Sequence, residues 1–236
     1  MSEPFMLGAL APQEAGGARV YGVVVGQVID NNDPDNLGRV KLKFPWISDE
    51  HKTDWTRVMT PMAGKERGFF FLPEVGDEVL VTFQFGDVSH PYVLGALWSK
   101  EDRPPPTANK GQSSKGERSV NRRVIQSTSG HLITLDDSKG KEKITIVGKG
   151  GKDKIEIDST SNKITIESDK DLDINAARDI HITAGEDVSI QCKKFSLDAD
   201  QSYELKALTG KIEADSGLDL KCMAGVKINT DGLVVT

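Results

Sequence analysis

Cysteine is nearly absent from this 236-residue chain, with Cys192 and Cys222 the only two. That count excludes a domain held together by several disulfides, and both residues read as small buried hydrophobes. Histidine is equally scarce. His51, His90, His131 and His181 never lie four residues apart or beside a cysteine pair, so the sequence offers no zinc spacing. There is no Gly-x-Ser-x-Gly elbow, and Lys149-Gly150-Gly151-Lys152 lacks the spacing of a phosphate loop. No catalytic residue, metal or cofactor is expected. No apolar run approaches the ~18 residues of a membrane-spanning helix. The first twenty residues carry no basic segment followed by an apolar one, so no signal peptide is expected. Positive charge is not in excess either: the net charge of −6 argues against nucleic acid as a partner.

Aromatic residues thin out along the chain. Twelve of the fourteen precede residue 99, leaving Phe195 and Tyr203 for everything after it. The chain therefore has two compositional halves, an aromatic-cored module and a fibrous repeat. The charge follows the same division, about −1 up to Arg123 and −5 beyond it.

The second half holds the strongest pattern. From residue 155 the template apolar-x-apolar-x-small recurs about every eight residues. Its units are Ile155-Ile157-Ser159, Ile164-Ile166-Ser168, Leu172-Ile174-Ala176, Ile180-Ile182-Ala184 and Val188-Ile190-Cys192. They continue as Phe195-Leu197-Ala199, Tyr203-Leu205-Ala207, Gly210-Ile212-Ala214, Leu218-Leu220-Cys222 and Val226-Ile228-Thr230. Alternation of this kind means short strands with one buried face. A short fixed period over many units marks a repeat architecture in which one unit cannot bury its own face. Five-residue strands with two- or three-residue corners leave no room for crossover helices, so the chain must wind as a prism. Three successive units could form one coil of a single-chain β-helix, or three chains could intertwine. The intertwined homotrimer is preferred, because Ile, Leu and Val suit a narrow axis and a single chain would complete fewer than four coils. In that trimer the aliphatic members of the units, Ile155 through Ile228, form the axial core.

Ahead of the repeat, five or six short strands fall in about 80 residues: Tyr21–Val28, Gly38–Trp46, Asp54–Met59, Gly76–Phe85 and His90–Trp98. Such spacing without helical period suggests a small closed barrel of OB type. The expected fold is thus all-β, an OB-fold barrel followed by an intertwined trimeric β-helix. The expected segments are a loose arm over 1–19, the barrel over 20–98, a linker over 99–123, a transition over 124–154 and a needle over 155–236.

Three other features were weighed. The Asx-rich stretch Asp30–Asn36 lacks the ligand spacing of an EF-hand and reads as a turn. Acids such as Asp169, Asp171 and Asp173 could in principle cleave polysaccharide as a pair, but acids and lysines spread over nearly every unit read as a solvated face. Phe69-Phe70-Phe71, beside Lys65, Glu66 and Arg67, gives weak support to an OB module that binds single-stranded nucleic acid.

The stretches LGRVKLKFPW and GFFFLPEVGDEVLVTFQFGDVSHPYVLGALW carry a resemblance. Gly38-Arg39-Val40, Pro73 through Val79, Phe85-Gly86-Asp87 and Pro91 through Gly95 resemble, in order, the OB-type barrel of contractile-tail spike proteins. These are the valine-glycine repeat protein G of type VI secretion and the central spikes of phage baseplates. The resemblance implies a trimeric, non-enzymatic spike of a virion or injection-particle baseplate, made in the cytoplasm, that pierces a target membrane mechanically. It implies a separate hub protein at the barrel end. It also implies a tip protein of the proline-alanine-alanine-arginine (PAAR) repeat type, seated on Leu233, Val234, Val235 and Thr236. The absence of a His-x-His site near Thr236 makes an iron-bound tip within this chain unexpected.

Overall fold

A computed structural model of the chain describes residues 19–46, 52–108, 120–219 and 221–224. It divides into two units, one ending at Ile174 and the other beginning at Asn175.

The first unit opens with the barrel. Its strands are β1 (Val24–Asp30), β2 (Arg39–Lys43), β3 (Thr56–Val58), β6 (Glu78–Phe83) and β7 (Pro91–Ala96). A two-stranded excursion, β4 (Ala63–Gly64) and β5 (Arg67–Gly68), interrupts the path from β3 to β6. β1 pairs with both β2 and β6, and a parallel pairing of β3 with β7 closes the ring in the order β1-β2-β3-β7-β6. Alternation explains the core directly. Val40 and Leu42 of β2, Val79, Val81 and Phe83 of β6, and Val93 of β7 point inward and are buried, with Val28 and Phe44 among them. The Phe44 and Phe83 rings meet edge-on at 5.7 Å. Gly26 makes room for Phe44: a Cβ there would stand 3.1 Å from its ring.

The turn from β1 to β2 is organised by one buried carboxylate. Asp33 accepts the backbone N–H groups of Asp35, Leu37 and Arg39 at 3.1, 3.0 and 3.2 Å. The Arg39 guanidinium closes on it at 2.6 Å and also reaches Asp35. Asn36 takes the left-handed conformation, φ 54°, that this tight path requires and that Asn tolerates.

The rest of the first unit is an antiparallel meander: β8 (Arg122–Gln126), β9 (Leu132–Asp136), β10 (Lys143–Val147), β11 (Lys154–Asp158) and β12 (Lys163–Glu167). Each strand pairs with the next in sequence. Two runs that interrupt the alternation in the sequence, Asp136-Asp137 and Lys149 through Lys152, lie at or in its hairpin turns. The meander passes through positions 154 and 155 unbroken, so the first two repeat units share one sheet with the segment before them. Arg122 and Arg123 lie at the expected end of the linker. They are instead strand residues, paired with Asp136 and Asp137.

The second unit contains no strand among its described residues. Bends fall at 177–178, 185–186, 193, 200–201, 208–209, 215–216 and 223–224. The bends come every seven or eight residues, directly after the small third residue of each repeat unit.

The Arg39 guanidinium, with three backbone donors, holds the Asp33 carboxyl far below the ordinary carboxylate range. A depressed folded value contributes stability that is fully present above the unfolded value near 4 and is lost as pH falls through the folded value. Asp33→Asn is therefore expected to lower the melting temperature of the barrel at pH 7. The gap from wild type should shrink as thermal melts are moved to below about pH 3. A gap that persisted undiminished in strong acid would contradict this role.

Candidate functional site: an uncovered apolar sheet face

The meander's register stacks its aliphatic residues into two columns on one face. In the first, Ile125 stands opposite Ile133, Ile133 opposite Ile146, Ile146 opposite Ile155, and Ile155 opposite Ile166. In the second, Leu135 stands opposite Ile144, Ile144 opposite Ile157, and Ile157 opposite Ile164. None of these nine side chains is covered, and their exposure runs from 38% at Ile133 to 68% at Ile164.

The opposite face is mostly polar, with Val124, Leu132 and Val147 among its charged and hydroxyl side chains. Lys143 pairs with Glu156 at 3.0 Å, and Lys154 lies 3.4 Å from Glu167 and 4.0 Å from Glu156. At one edge Arg122 holds Asp136 at 2.6 Å. Burial pushes the Asp136 carboxyl up, but hydrogen bonds from Ser138 and the Arg122 charge outweigh it and leave the group below its usual range. An antiparallel sheet with one wet face normally packs the other. This one has its aliphatic side chains gathered on one face, and among the described residues of the first unit none covers that side. Covering nine half-exposed aliphatics at about 1 kcal/mol each is worth on the order of 10 kcal/mol per chain.

The expected axial residues divide into three groups. Ile155, Ile157, Ile164 and Ile166 come together on this face. Leu172, Ile174, Ile180, Ile182, Val188, Ile190, Leu197, Leu205, Ile212 and Leu218 are all strongly exposed on unpaired backbone, as are Cys192 and Cys222, which are free thiols. Leu220, Val226, Ile228 and the expected tip seat, Leu233, Val234, Val235 and Thr236, lie outside the described residues. Sequence reading left Ile125, Ile133, Leu135, Ile144 and Ile146 out of the core. Their signal was present, since Ile133-x-Leu135 and Ile144-x-Ile146 show the repeat's own alternation.

The remaining candidates have structural partners. His90 Nδ1 lies 3.0 Å from Asp87, whose carboxyl is lowered first by the Ser89 amide and then by His90. His131 Nδ1 accepts the Lys149 amide at 3.1 Å. Asp169 pairs with Lys152 at 2.7 Å. His51 lies outside the described residues. Among the described residues no group of three or more His, Cys, Asp or Glu could hold a metal ion, and no helix is long and apolar enough to cross a membrane. The barrel has an uncovered apolar surface of its own. Phe69, Phe70 and Phe71 are exposed beside a groove of about 650 Å³ lined also by Leu37, Met59 and Met62.

Residues 24–98, β1 through β7, match the family described as the type VI secretion system/phage-baseplate injector OB domain. A type VI secretion system spike protein, VgrG1c of Pseudomonas aeruginosa, is 31% identical over 128 residues, covering 52% of this chain and 18% of that protein. Over about half of its length the chain is similar to this spike protein. VgrG2a, another spike protein of P. aeruginosa, is 38% identical over 86 residues, covering 35% of this chain and 10% of its own length. The actin cross-linking toxin VgrG1 of Vibrio cholerae is 32% identical over 114 residues, 47% of this chain and 10% of the toxin. The chain thus spans a fifth or less of the length of these relatives.

The sorted faces give an asymmetric expectation for neighbouring residues of β10. Ile146→Asp, at the centre of the longer column, should leave the protein aggregated or unassembled, because an ionised carboxylate cannot be desolvated there without a partner. Thr145→Asp, on the polar face, should leave solution size unchanged. Size-exclusion chromatography reads both, and equal behaviour would contradict the sorting.

Proposed function

We propose that this chain is the structural spike of a contractile injection machine. Three copies close their apolar sheet faces on a common axis and then intertwine as a β-helical needle. The observation that carries this reading is the nine-residue apolar face, which leads into a chain that is alternating, bent every octad and unpaired. A strand with neither a hydrogen-bonded neighbour nor a covered face is incomplete. Intertwining with two identical chains supplies both at once, and it explains why a single chain forms no strand beyond β12 among its described residues.

In this reading the chain acts by mechanics. A sheet whose backbone groups are all paired and whose corners are short has nothing to yield under axial load. With strands about 4.8 Å apart, ten units make a shaft on the order of 50 Å. Its place is the baseplate of a virion or injection particle, its target an envelope membrane pierced at the needle end, and it requires no cofactor and no catalytic residue. Two partners belong to the same reading: a hub protein on the barrel side and a PAAR-repeat tip protein on Leu233 through Thr236. Relatives named as spike proteins support the structural role.

Amide hydrogen exchange on the full-length protein tests the needle. In the trimer, amides between Leu172 and Leu218 are hydrogen-bonded between chains and should exchange at least ~100-fold more slowly than in an unstructured peptide, a protection of the kind that paired core strands show. Exchange at the unstructured rate along that stretch, in protein that still carries a folded barrel, would overturn the β-helical reading.

A further inference from the structure

The outer surface of the barrel carries a cationic face that the spike reading leaves unassigned. Alternation along β2 puts Val40 and Leu42 inside and Arg39, Lys41 and Lys43 outside. Their cross-strand neighbours are cationic as well: Arg39 stands opposite Arg57, and Lys43 forms an isolated bridge with Lys52. Like charges placed directly opposite are destabilising, and the uncompensated Lys43–Lys52 pair stands beside Lys41 in a chain whose net charge is −6. Arg39 is neutralised by Asp33 and Asp35. Among the described residues, none of Lys41, Lys43, Lys52 and Arg57 has an ion-pair partner. The acids at hand do not cancel them: Asp30 faces Lys41 in register but accepts the Asn32 amide, and Asp54 flanks Trp55.

Two aromatic rings lie in the same face, and both are already capped. Lys41 Nζ sits 4.8 Å from the Trp55 ring centre, and the Arg57 guanidinium 4.8 Å from that of Tyr92. Arg57 also donates to the Tyr92 hydroxyl at 2.7 Å, which in turn donates to Gln84 at 2.9 Å. A protein that binds single strands through an OB barrel offers bare rings on which bases stack. Rings capped by cations offer charge without a stacking platform. We infer that this face, over β2, β3 and the start of β7, docks a carboxylate-rich protein surface, which pairs with clustered Lys and Arg by charge-assisted hydrogen bonds. This inference does not require the trimer.

The test uses the full-length protein, fluorescent poly-L-glutamate as the carboxylate probe and fluorescent oligothymidylate as the phosphate probe, read by anisotropy at low salt. Poly-L-glutamate should bind more tightly than oligothymidylate and be released as salt rises. The double variant Lys43→Glu/Lys52→Glu should weaken binding about tenfold or more, the scale of removing several screened attractions. Lys139→Glu, in the turn after β9, should leave binding unchanged. Thermal melts give a second readout, because Lys52→Gln relieves a like-charge pair and should not lower the barrel's melting temperature. No binding of poly-L-glutamate would overturn the inference, as would equal loss with Lys139→Glu, tighter binding of oligothymidylate or a marked destabilisation by Lys52→Gln. A monomeric protein that still bound poly-L-glutamate would sink the spike reading and leave this face standing.

Discussion

A sheet needs a second layer, and the described residues of this chain supply none. Domains are stable when the apolar side of one element is laid against another. Here five antiparallel strands present nine aliphatic side chains on one side and a lattice of ion pairs on the other. Among the described residues there is no helix to lie across the apolar side. The same shortage deepens past β12, where the second unit lacks strand partners as well as cover. In the proposed spike both deficits have one remedy, further copies of the same chain, with the apolar side turned inward.

The barrel obeys the opposite rule. It closes on itself, so no sheet edge needs a partner, and eight buried hydrophobics fill it without outside help. Asp33 holds the β1–β2 turn by taking three backbone donors and one guanidinium. A self-sufficient barrel joined to an insufficient repeat suits a spike, in which the barrel anchors and the repeat becomes rigid only on assembly. The ion pairs Lys143–Glu156, Lys154–Glu167 and Arg122–Asp136 lie on the polar face of the meander, and Arg123, opposite Leu135 and paired with Asp137, borders the apolar one.

Much of this was legible in the sequence. Alternation in Val40-x-Leu42 and Val79-x-Val81-x-Phe83 marks strands whose inward residues are the buried ones. The octad marks the bends of the second unit, which fall after Ala176, Ala184, Cys192 and Ala207 as the small residues require. Less legible was the meander. Ile133-x-Leu135 and Ile144-x-Ile146 have the repeat's alternation, but the longer turns between them break the octad. A reading tuned to one period therefore assigned them to a transition. The β4–β5 excursion left no signal because four residues are too few to show a period. Arg122 and Arg123 read as linker charges because their partners, Asp136 and Asp137, are neighbours only through strand pairing.

The account rests on the apolar face being closed by identical chains, and the mass of the intact protein in solution tests this most directly. Multi-angle light scattering on the full-length chain should return a single species near 77 kDa, three times the 25.7 kDa of one chain. A stable, folded and soluble species near 26 kDa would mean that the face is covered within one chain, and would contradict the account at its base.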